Sequence, residues 1–185
     1  LASIGETLVD NIGNKTFLGG CPYNVALACS RLGGSATYFG KISSDQYGLQ
    51  FIESFLDNGI LFDPDLCNSP LKTASSTVVF NSKGDPSYNF YWENSACANI
   101  SSEELIESFN NYTDIDIVFI GSIALSSKPG IKTIIDSVNF IEPKPLIFLD
   151  PNIRLSMVSD VDKYSKEILE LASHCDIVKA SNEDI

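Results

Sequence analysis

A glycine-rich segment begins Gly19-Gly20-Cys21-Pro22-Tyr23-Asn24-Val25-Ala26 and runs on to Arg31-Leu32-Gly33-Gly34. Two adjacent glycines end a polar segment, and apolar residues at helical spacing follow at Val25, Ala28, Cys29 and Leu32. Gly33-Gly34 closes the predicted helix, because glycine adopts the left-handed conformation of a helix end without a Cβ clash. The stretch therefore predicts a glycine turn that leads into an amphipathic helix.

A glycine pair before a helix also suits ligand binding. A ligand can approach the bare backbone, and the free N–H groups together with the helix dipole favour a polar or anionic group. Asn24, in the first turn, can both donate to a hydroxyl group and accept from one. An ordinary Gly-Gly turn explains the same residues, since glycine-to-helix patterns also occur by chance. On this stretch alone both interpretations stay open.

Helical and strand patterns alternate from residue 101 onward. A capping box at Ser101-Ser102-Glu103-Glu104 begins one helix, and helical spacing recurs over 129–141 and 160–173. The last of these helices is expected to bury Val161, Ile168 and Leu171. Strand-like apolar runs lie between them, at 116–121, 146–149 and 176–179. This order predicts an α/β layer fold with a parallel sheet and right-handed crossovers.

The first hundred residues combine the same elements with extra β structure. Residues 1–9 are predicted as the first strand, 36–40 as a short strand, and 46–58 as a helix capped by Asp45 and ended by Gly59. The segment 11–18 and a hairpin formed by 71–81 and 87–92, with a turn at 82–86, do not fit the alternation. We expect both to stand off the main sheet.

Polar residues follow several predicted strands, where open α/β sheets bind their ligands. They are Asp10, Gly121-Ser122 and Asp150-Pro151-Asn152. Asp10 suits paired sugar hydroxyls, although a solvated carboxylate or a helix cap explains it too. The nearby Arg154 suits phosphate because its planar fork donates two parallel hydrogen bonds. Asp-Pro-Asn is also good turn chemistry in its own right, so both alternatives stay open.

Composition excludes several classes of function. The 185 residues carry a net charge of −12 and are 44% hydrophobic, which argues against nucleic acid and anionic membranes as partners. Five cysteines without a C-x-x-C pair and a single histidine argue against a zinc site and favour a cytoplasmic location. The chain begins at Leu1 and stops just after a strand, so we expect it to be part of a longer protein.

Four segments in order resemble the motifs of the ribokinase/PfkB family of sugar kinases, in the form seen in fructokinases. They are Ile4-Gly5-Glu6-Thr7-Leu8-Val9-Asp10, the glycine-to-helix stretch, Phe148-Leu149-Asp150-Pro151-Asn152-Ile153-Arg154, and 176–185. Together they cover essentially the whole chain. The resemblance implies a ribokinase-like three-layer α/β/α (Rossmann-like) fold, truncated at its C-terminal end. Residues 1–185 would form one partial kinase domain, with a small β-sheet lid from about 11–18 and 72–92.

The resemblance also implies the site residues. Substrate contacts would come from Asp10, Gly19, Gly20, Asn24, Tyr91 and Arg154; phosphate and nucleotide contacts from Asn152, Arg154 and Lys179; and a metal contact from Asp184.

Ser181 and Asp184 replace the more common Asn and Glu of the last motif, and an ordinary helix cap explains them equally well. Packing explains the aromatic residues at 90–92 as well as recognition does. Trp92 stands where ketodeoxygluconate kinases carry an arginine, which favours a neutral sugar.

The implied activity is ATP-dependent phosphorylation of a sugar hydroxyl, most closely that of a fructokinase. ATP and Mg²⁺ are the implied cofactors, with a monovalent cation as a further candidate, and a homodimer through the lid strands is a candidate assembly. The alternatives are a ketodeoxygluconate, ribose or nucleoside kinase, and a non-catalytic sugar-binding or regulatory module. The family's catalytic Asp lies in a Gly-x-Gly-Asp motif, which these residues lack. We therefore assign no catalytic residue and expect this chain alone to be inactive.

Overall fold

The computed structural model describes residues 1–80, 86–112 and 114–184. Its strands are β1 Ala2–Ile4, β2 Leu8–Ile12, β3 Lys15–Gly19, β4 Thr37–Phe39, β5 Leu61–Phe62, β6 Ala74–Phe80, β7 Pro86–Tyr91, β8 Ile117–Gly121, β9 Leu146–Asp150 and β10 Ile177–Val178. Its α-helices are α1 Cys21–Arg31, α2 Gln46–Asp57, α3 Ser102–Phe109, α4 Ile123–Ser126, α5 Ile131–Val138 and α6 Val161–Ser173. Within these ranges, no helix has the length and apolar character needed to cross a bilayer.

A six-stranded parallel sheet forms the centre of the fold, in the order β10-β9-β8-β1-β4-β5. Neighbouring residues of β4 show that both faces of this sheet are covered. Tyr38 packs in a core with side chains of α1 and α2, whereas Phe39 packs in a core with side chains of α3, α5 and α6. The predicted α/β layer fold with a parallel sheet is therefore confirmed.

A second sheet, of four strands in the order β3-β2-β6-β7, stands apart from the parallel sheet. Strand β2 pairs antiparallel with β3 and parallel with β6, and β6 pairs antiparallel with β7. The predicted β structure at 11–18 and 72–92 is thus confirmed for the described residues. Residues 81–85, most of the predicted turn, lie outside them. The assignment of 1–185 to a single partial kinase domain stays a prediction.

The prediction of one strand over residues 1–9 is wrong. Strand β1 ends at Ile4, and Gly5 then adopts φ +141, a conformation that favours glycine. The chain crosses to the second sheet through Glu6 and Thr7. Consequently Asp10 lies within a strand of the second sheet and not at the carboxyl end of a parallel strand. Apolar residues lie on both sides of the break, at Ile4 and at Leu8-Val9, and they favoured one strand although Gly5-Glu6-Thr7 interrupts the apolar run.

Helix α1 begins and ends as predicted, but it buries a different face. Tyr23 and Ala26 are buried, and Tyr23 packs edge-on against Phe51 with ring centroids 5.0 Å apart. Of the apolar residues at helical spacing, Leu32 is 88% exposed. Val25 and Ala28 border an open cavity described below. An apolar stripe on a helix can line a ligand cavity as well as a core, so the spacing does not distinguish the two.

Helices α2, α3 and α6 lie where the sequence predicts them. The capping box of α3 is present, with both of its hydrogen bonds. In α6, Ile168 and Leu171 are buried as expected, whereas Val161 is 49% exposed because it is the first residue of the helix. The sequence did not predict β5 or α4, which have only two and four residues.

Removal of the α2 cap should destabilise the protein measurably. The Asp45 carboxylate accepts from the N–H groups of Tyr47 and Gly48, and also from the N–H and hydroxyl of Thr73, 2.8 and 2.7 Å away. Asp45→Ala should lower the free energy of unfolding in urea by about 2–4 kcal/mol. Asp57→Ala, at the exposed end of the same helix, should change it by less than about 0.5 kcal/mol. An equal effect of both variants would contradict the capping role.

The same contacts set the expected pH dependence. Partial burial acts to raise the pKa of Asp45, but the hydrogen bonds from Thr73 and Gly48 outweigh it and lower that pKa. A depressed pKa contributes stability above the unfolded-state value, and this contribution is lost as pH falls through the folded-state value. The stability difference between wild type and Asp45→Ala should therefore shrink below about pH 4.

Candidate functional site

A cavity of about 360 Å³ is bordered by the second sheet, the start of α1 and the carboxyl ends of two parallel strands. Its polar lining consists of Glu6, Asp10, Asn24, Ser122, Asn152 and Arg154. Its apolar lining consists of Leu8, Val25, Ala28, Phe90 and Ile123, and Gly20 and Cys21 complete it. The cavity thus combines hydrogen-bonding groups with an apolar wall, as a ligand with hydroxyl groups and C–H faces requires.

The second sheet supplies Asp10. The Asp10 carboxylate accepts a hydrogen bond from the hydroxyl of Ser76 on the adjacent strand. Gly19, on the other side of β2, makes room for this carboxylate, because a Cβ at Gly19 would lie 2.6 Å from Asp10 Oδ2. Gly19 is not one of the described residues that line the cavity. Its position instead supports a role in leaving space for the Asp10 carboxylate.

The start of α1 supplies the next wall. Gly20 has φ +107, and a Cβ at this position would lie 2.5 Å from the carbonyl oxygen of Glu6. Only glycine fits this conformation and contact. Asn24 follows in the first turn with an exposed side chain. Asp10, Gly20 and Asn24 thus border the same open cavity, which Asp10 reaches from the second sheet.

The carboxyl ends of β8 and β9 meet at the cavity, as the sequence predicts. Ser122 and Asn152 follow these strands with φ values of 66 and 39, in the left-handed region. The Asn152 side-chain amide donates to the Ser122 hydroxyl across 3.3 Å. Gly121 permits the approach, since a Cβ there would lie 2.0 Å from the Asp150 carbonyl oxygen. Non-glycine residues in this region store backbone strain, which often occurs at ligand sites.

Arg154 also lines the cavity, but Lys179 and Asp184 have other partners. The Lys179 ammonium lies 2.9 Å from Asp150 Oδ2, and this hydrogen bond raises the pKa of Lys179. Asp184 accepts from the N–H of Ile153 at 2.6 Å and from the N–H and hydroxyl of Ser181 at 2.7 Å. These contacts match the capping alternative for Asp184. Its metal contact and the phosphate contact of Lys179 stay predictions.

The position of Tyr91 does not support its expected contact with the substrate. Its side chain is 44% exposed and lies outside the cavity lining, whereas Phe90 belongs to it. Consecutive side chains of a strand point to opposite faces, and Phe90 pairs with Ser76, which in turn pairs with Asp10. The register therefore places Phe90, and not Tyr91, on the cavity face. A motif comparison without this register cannot make the choice.

Trp92 belongs to the packing alternative. It is 3% exposed, and its indole N–H donates to the Lys128 carbonyl oxygen at 3.1 Å. It packs in a small core with Leu8 and Ile123, whose side chains also border the cavity. Trp92 therefore supports the apolar wall of the cavity from behind.

Glu6, a residue not predicted for the site, borders the cavity as a fully buried carboxyl group. Burial raises the pKa of Glu6, although hydrogen bonds from Ser122 and from the N–H groups of Ala124 and Cys21 oppose this effect. Burial likewise raises the pKa of the Cys21 thiol to about 12, so this thiol stays neutral and unreactive. The only signal in the sequence was an acidic residue within an otherwise apolar strand pattern.

Solved structures of fructokinases superpose on almost the whole of this chain. A fructokinase from Xylella fastidiosa has the same fold, with a TM-score of 0.85 at 24% identity over 99% of this chain and 62% of that one. The fructokinase of the same organism with bound ATP superposes with a TM-score of 0.79 at 25% identity, covering 99% of this chain and 61% of that one. These likenesses confirm the ribokinase-like fold class.

Sequence relatives agree with the structural neighbours. The chain is 31% identical to a probable chloroplastic fructokinase, fructokinase-6 of Arabidopsis thaliana, over 98% of this chain and 47% of that protein. The chain therefore spans about half the length of this relative. The family model for pfkB family carbohydrate kinases matches residues 3–185. The family-specific glycine-to-helix motif lies at the cavity, and the match extends over both sheets. This chain belongs to the pfkB family of carbohydrate kinases.

Proposed function

We propose that these residues form the sugar-binding part of an ATP-dependent fructokinase. The observation that carries the proposal is the convergence of Asp10, Asn24, Asn152 and Arg154 on one cavity of about 360 Å³. The fructokinase names of the relatives support fructose as the sugar. The ATP bound to the Xylella fastidiosa enzyme supports ATP as the phosphate donor.

The lining suits a sugar in both of its chemical aspects. A carboxylate such as Asp10 accepts from two neighbouring hydroxyls, and the amide of Asn24 pairs with a further hydroxyl in either direction. The C–H face of a sugar can pack against Phe90, Leu8 and Ile123. Asn152 and Arg154, which follow strand β9, are suited to the phosphate side because Arg donates two parallel hydrogen bonds to phosphate oxygens.

Mg²⁺ belongs to the proposal as the companion of the nucleotide. Within residues 1–80, 86–112 and 114–184, no group of three acidic, Cys or His side chains is arranged to hold a metal ion. One or two carboxylates suffice for Mg²⁺, which keeps several waters and binds substrate phosphates. Asp184 is the candidate carboxylate, and it would have to share its oxygens with the capping contacts. The ion would supply neutralisation of charge on the transferred phosphoryl group.

Two further features of the proposal rest on surface chemistry. The five cysteines are all free thiols, which supports a reducing, cytoplasmic environment.

Ile12 and Phe17 are apolar and exposed on the cavity face of the second sheet. A homodimer through these strands would cover them. A monomeric chain at high concentration in sedimentation experiments would count against this assembly.

Sugar binding to the chain and to an Asp10 variant tests the proposal. We expect isothermal titration calorimetry to detect fructose binding, and Asp10→Asn to weaken it about tenfold to hundredfold, because a charged acceptor of hydroxyl hydrogen bonds is lost. Asp57→Asn, an exposed carboxylate outside the cavity, is the matched control and should bind like wild type. Tighter binding of ribose or ketodeoxygluconate would favour another sugar kinase. Absence of binding to any sugar would rule the proposal out.

A further inference from the structure

Glu6 occupies an unusual place for a carboxyl group. It lies in the two-residue crossing between the parallel sheet and the second sheet, and its exposed fraction is 0%. Its Oε1 atom has no hydrogen-bond partner among the described residues. Nevertheless, Glu6 borders the cavity. A buried acceptor without a partner is costly, so its retention at a ligand cavity calls for a reason.

The contacts of the carboxyl group join separate walls of the cavity. Its Oε2 atom accepts from the N–H of Ala124, in the first turn of α4, across 3.4 Å. Ser122, at the end of β8, and the N–H of Cys21, at the start of α1, lie close enough to oppose the rise in the pKa of this carboxyl group. The Glu6 side chain therefore lies between three elements that supply cavity residues.

The backbone of Glu6 is held in the same junction. The chain enters it through Gly5 at φ +141, where a Cβ would lie 2.6 Å from the Pro22 ring. The Glu6 carbonyl oxygen packs under Gly20, in a space that a Cβ would fill. The carboxyl group thus projects from a backbone that packs against α1. A shift of Glu6 would therefore move the start of α1 together with the groups that contact the carboxyl group.

We propose that Glu6 is a positioning residue of the sugar site. Its carboxyl group accepts from Ala124 and its backbone packs under Gly20, so that Glu6 holds the start of α1, which carries Asn24, beside the hydrogen-bonded pair of Ser122 and Asn152. It acts through these groups and does not touch the sugar, since it is closed off from solvent. This inference rests on the proposed function, because the groups it positions are those proposed to bind the sugar and its phosphate.

The titratable groups around Glu6 allow a direct test of its contacts. Cys21 on α1, Cys97 in a 3₁₀ turn and Tyr38 on β4 lie near it; the Tyr38 hydroxyl and the Cys97 thiol donate to the carbonyl oxygens of its chain neighbours Gly5 and Thr7. Burial raises the pKa of both thiols to about 12, and it raises the pKa of Tyr38 well above 10. These neighbours stay neutral near pH 7. Asp150, also near Cys21, is paired with Lys179, and Asp10 lies on the second sheet.

The first experiment follows the amide resonances of the wild-type chain by NMR from about pH 9 to about pH 5, since the pKa of a buried carboxyl is displaced upward. We expect Cys21 and Ala124 to move together with one midpoint above 4.5, the ordinary pKa of this group. The movement should persist in Asp10→Asn and disappear in Glu6→Gln. Independent midpoints for the two amides, or a movement unchanged in Glu6→Gln, would overturn the junction.

The second experiment measures fructose affinity in Glu6→Gln. Glutamine keeps the shape, but its NH₂ group would face the N–H donors or the unpartnered position of Oε1, and neither offers an acceptor. We expect affinity to fall about tenfold, the effect of losing one buried hydrogen bond that positions the groups around it. Asp63→Asn is the matched control, because Asp63 is a buried carboxylate that caps a turn away from the cavity lining.

The outcomes separate positioning from general stability. Both variants should unfold at lower urea concentration, while only Glu6→Gln should lose affinity. Equal affinity of Glu6→Gln and wild type, with Asp10→Asn impaired, would overturn the role of Glu6 and leave the proposed function standing. Coupled titration of both amides in a chain that binds no sugar would overturn the proposed function, and with it the sugar-site role. If Glu6→Gln does not fold, the wild-type titration alone tests whether the Glu6 carboxyl group contacts both Cys21 and Ala124.

Discussion

Residues 1–185 alone are expected to show no detectable phosphorylation of fructose in the presence of Mg²⁺ and ATP. A sugar hydroxyl is barely ionised at neutral pH, so its attack on phosphate needs a positioned base. General-base assistance contributes about 10²–10⁴-fold, and loss of one donor that stabilises transition-state charge costs about 10²–10³-fold. The sequence lacks the Gly-x-Gly-Asp motif that the family resemblance associates with both functions. Their combined loss should put turnover below detection, whereas weak sugar binding can persist.

The carboxylates around the cavity are poorly placed to substitute for that base. Asp10 accepts from Ser76 on the second sheet, where the proposal assigns it to sugar hydroxyls. Glu6 is closed off from solvent. Asp150 is engaged by Lys179 at 2.9 Å, and Asp184 is engaged by Ile153 and Ser181. A buried or ion-paired carboxylate does not reach a sugar hydroxyl without rearrangement.

An ADP-release assay tests this expectation on two chains. One is residues 1–185, and the other is extended through any downstream Gly-x-Gly-Asp of the same reading frame. We expect turnover only from the extended chain, and its loss when the Asp of that motif is changed to Asn. Binding of fructose by the short chain, measured in parallel, separates a missing base from a missing substrate site. Robust turnover by the short chain would show that the base lies within these residues.

Sequence patterns predicted the elements of this fold best where a single physical cause acts. Strand β8 is buried on both faces, so its apolar run is nearly continuous, and β9 keeps an apolar run although Leu146 is 48% exposed. Helices α2 and α3 carry capping side chains whose hydrogen bonds are local in sequence. In both cases the information lies within a few consecutive residues, which is all that periodicity and capping rules use.

The predictions failed where one local sequence pattern is compatible with two different structures. Strands β1 and β2 are both apolar and only three residues apart, and the chain passes from one sheet to the other at Gly5, Glu6 and Thr7. The apolar stripe of α1 at Val25 and Ala28 faces a cavity and not a core. The choice between Phe90 and Tyr91 depends on strand register. Each of these features depends on contacts between residues far apart in the chain, which local patterns do not contain.

Most of the candidate site could nevertheless be predicted, because motif resemblance carries information that local patterns lack. Asp10, Gly20, Asn24, Asn152 and Arg154 all border the cavity. Glu6 escaped prediction for the opposite reason. Its interest comes from burial and from an oxygen without a partner, and both are properties of the folded structure.

Gly20→Ala should be among the most damaging single substitutions in the chain. Gly20 has φ +107, and its Cβ would lie 2.5 Å from the Glu6 carbonyl oxygen and 3.3 Å from the Thr7 Cα. Both of these atoms belong to backbone that crosses between the sheets, so neither yields as the end of a flexible side chain would. The strained conformation costs about 1–3 kcal/mol, and the collision adds to it. We therefore expect the free energy of unfolding to fall by at least about 3 kcal/mol.

Gly33→Ala separates the two causes of this loss. Gly33 ends the same helix at φ +86, but a Cβ there would have no neighbour within 4 Å. Its substitution should cost only the conformational part, about 1–2 kcal/mol in urea unfolding, and leave fructose affinity unchanged. Gly20→Ala should instead lose detectable fructose binding under conditions where it remains folded, because relief of the collision moves Asn24 away from Asp10. Equal losses of stability in the two variants, with binding retained in both, would mean that the backbone at Glu6 yields and that Gly20 is needed only for its conformation.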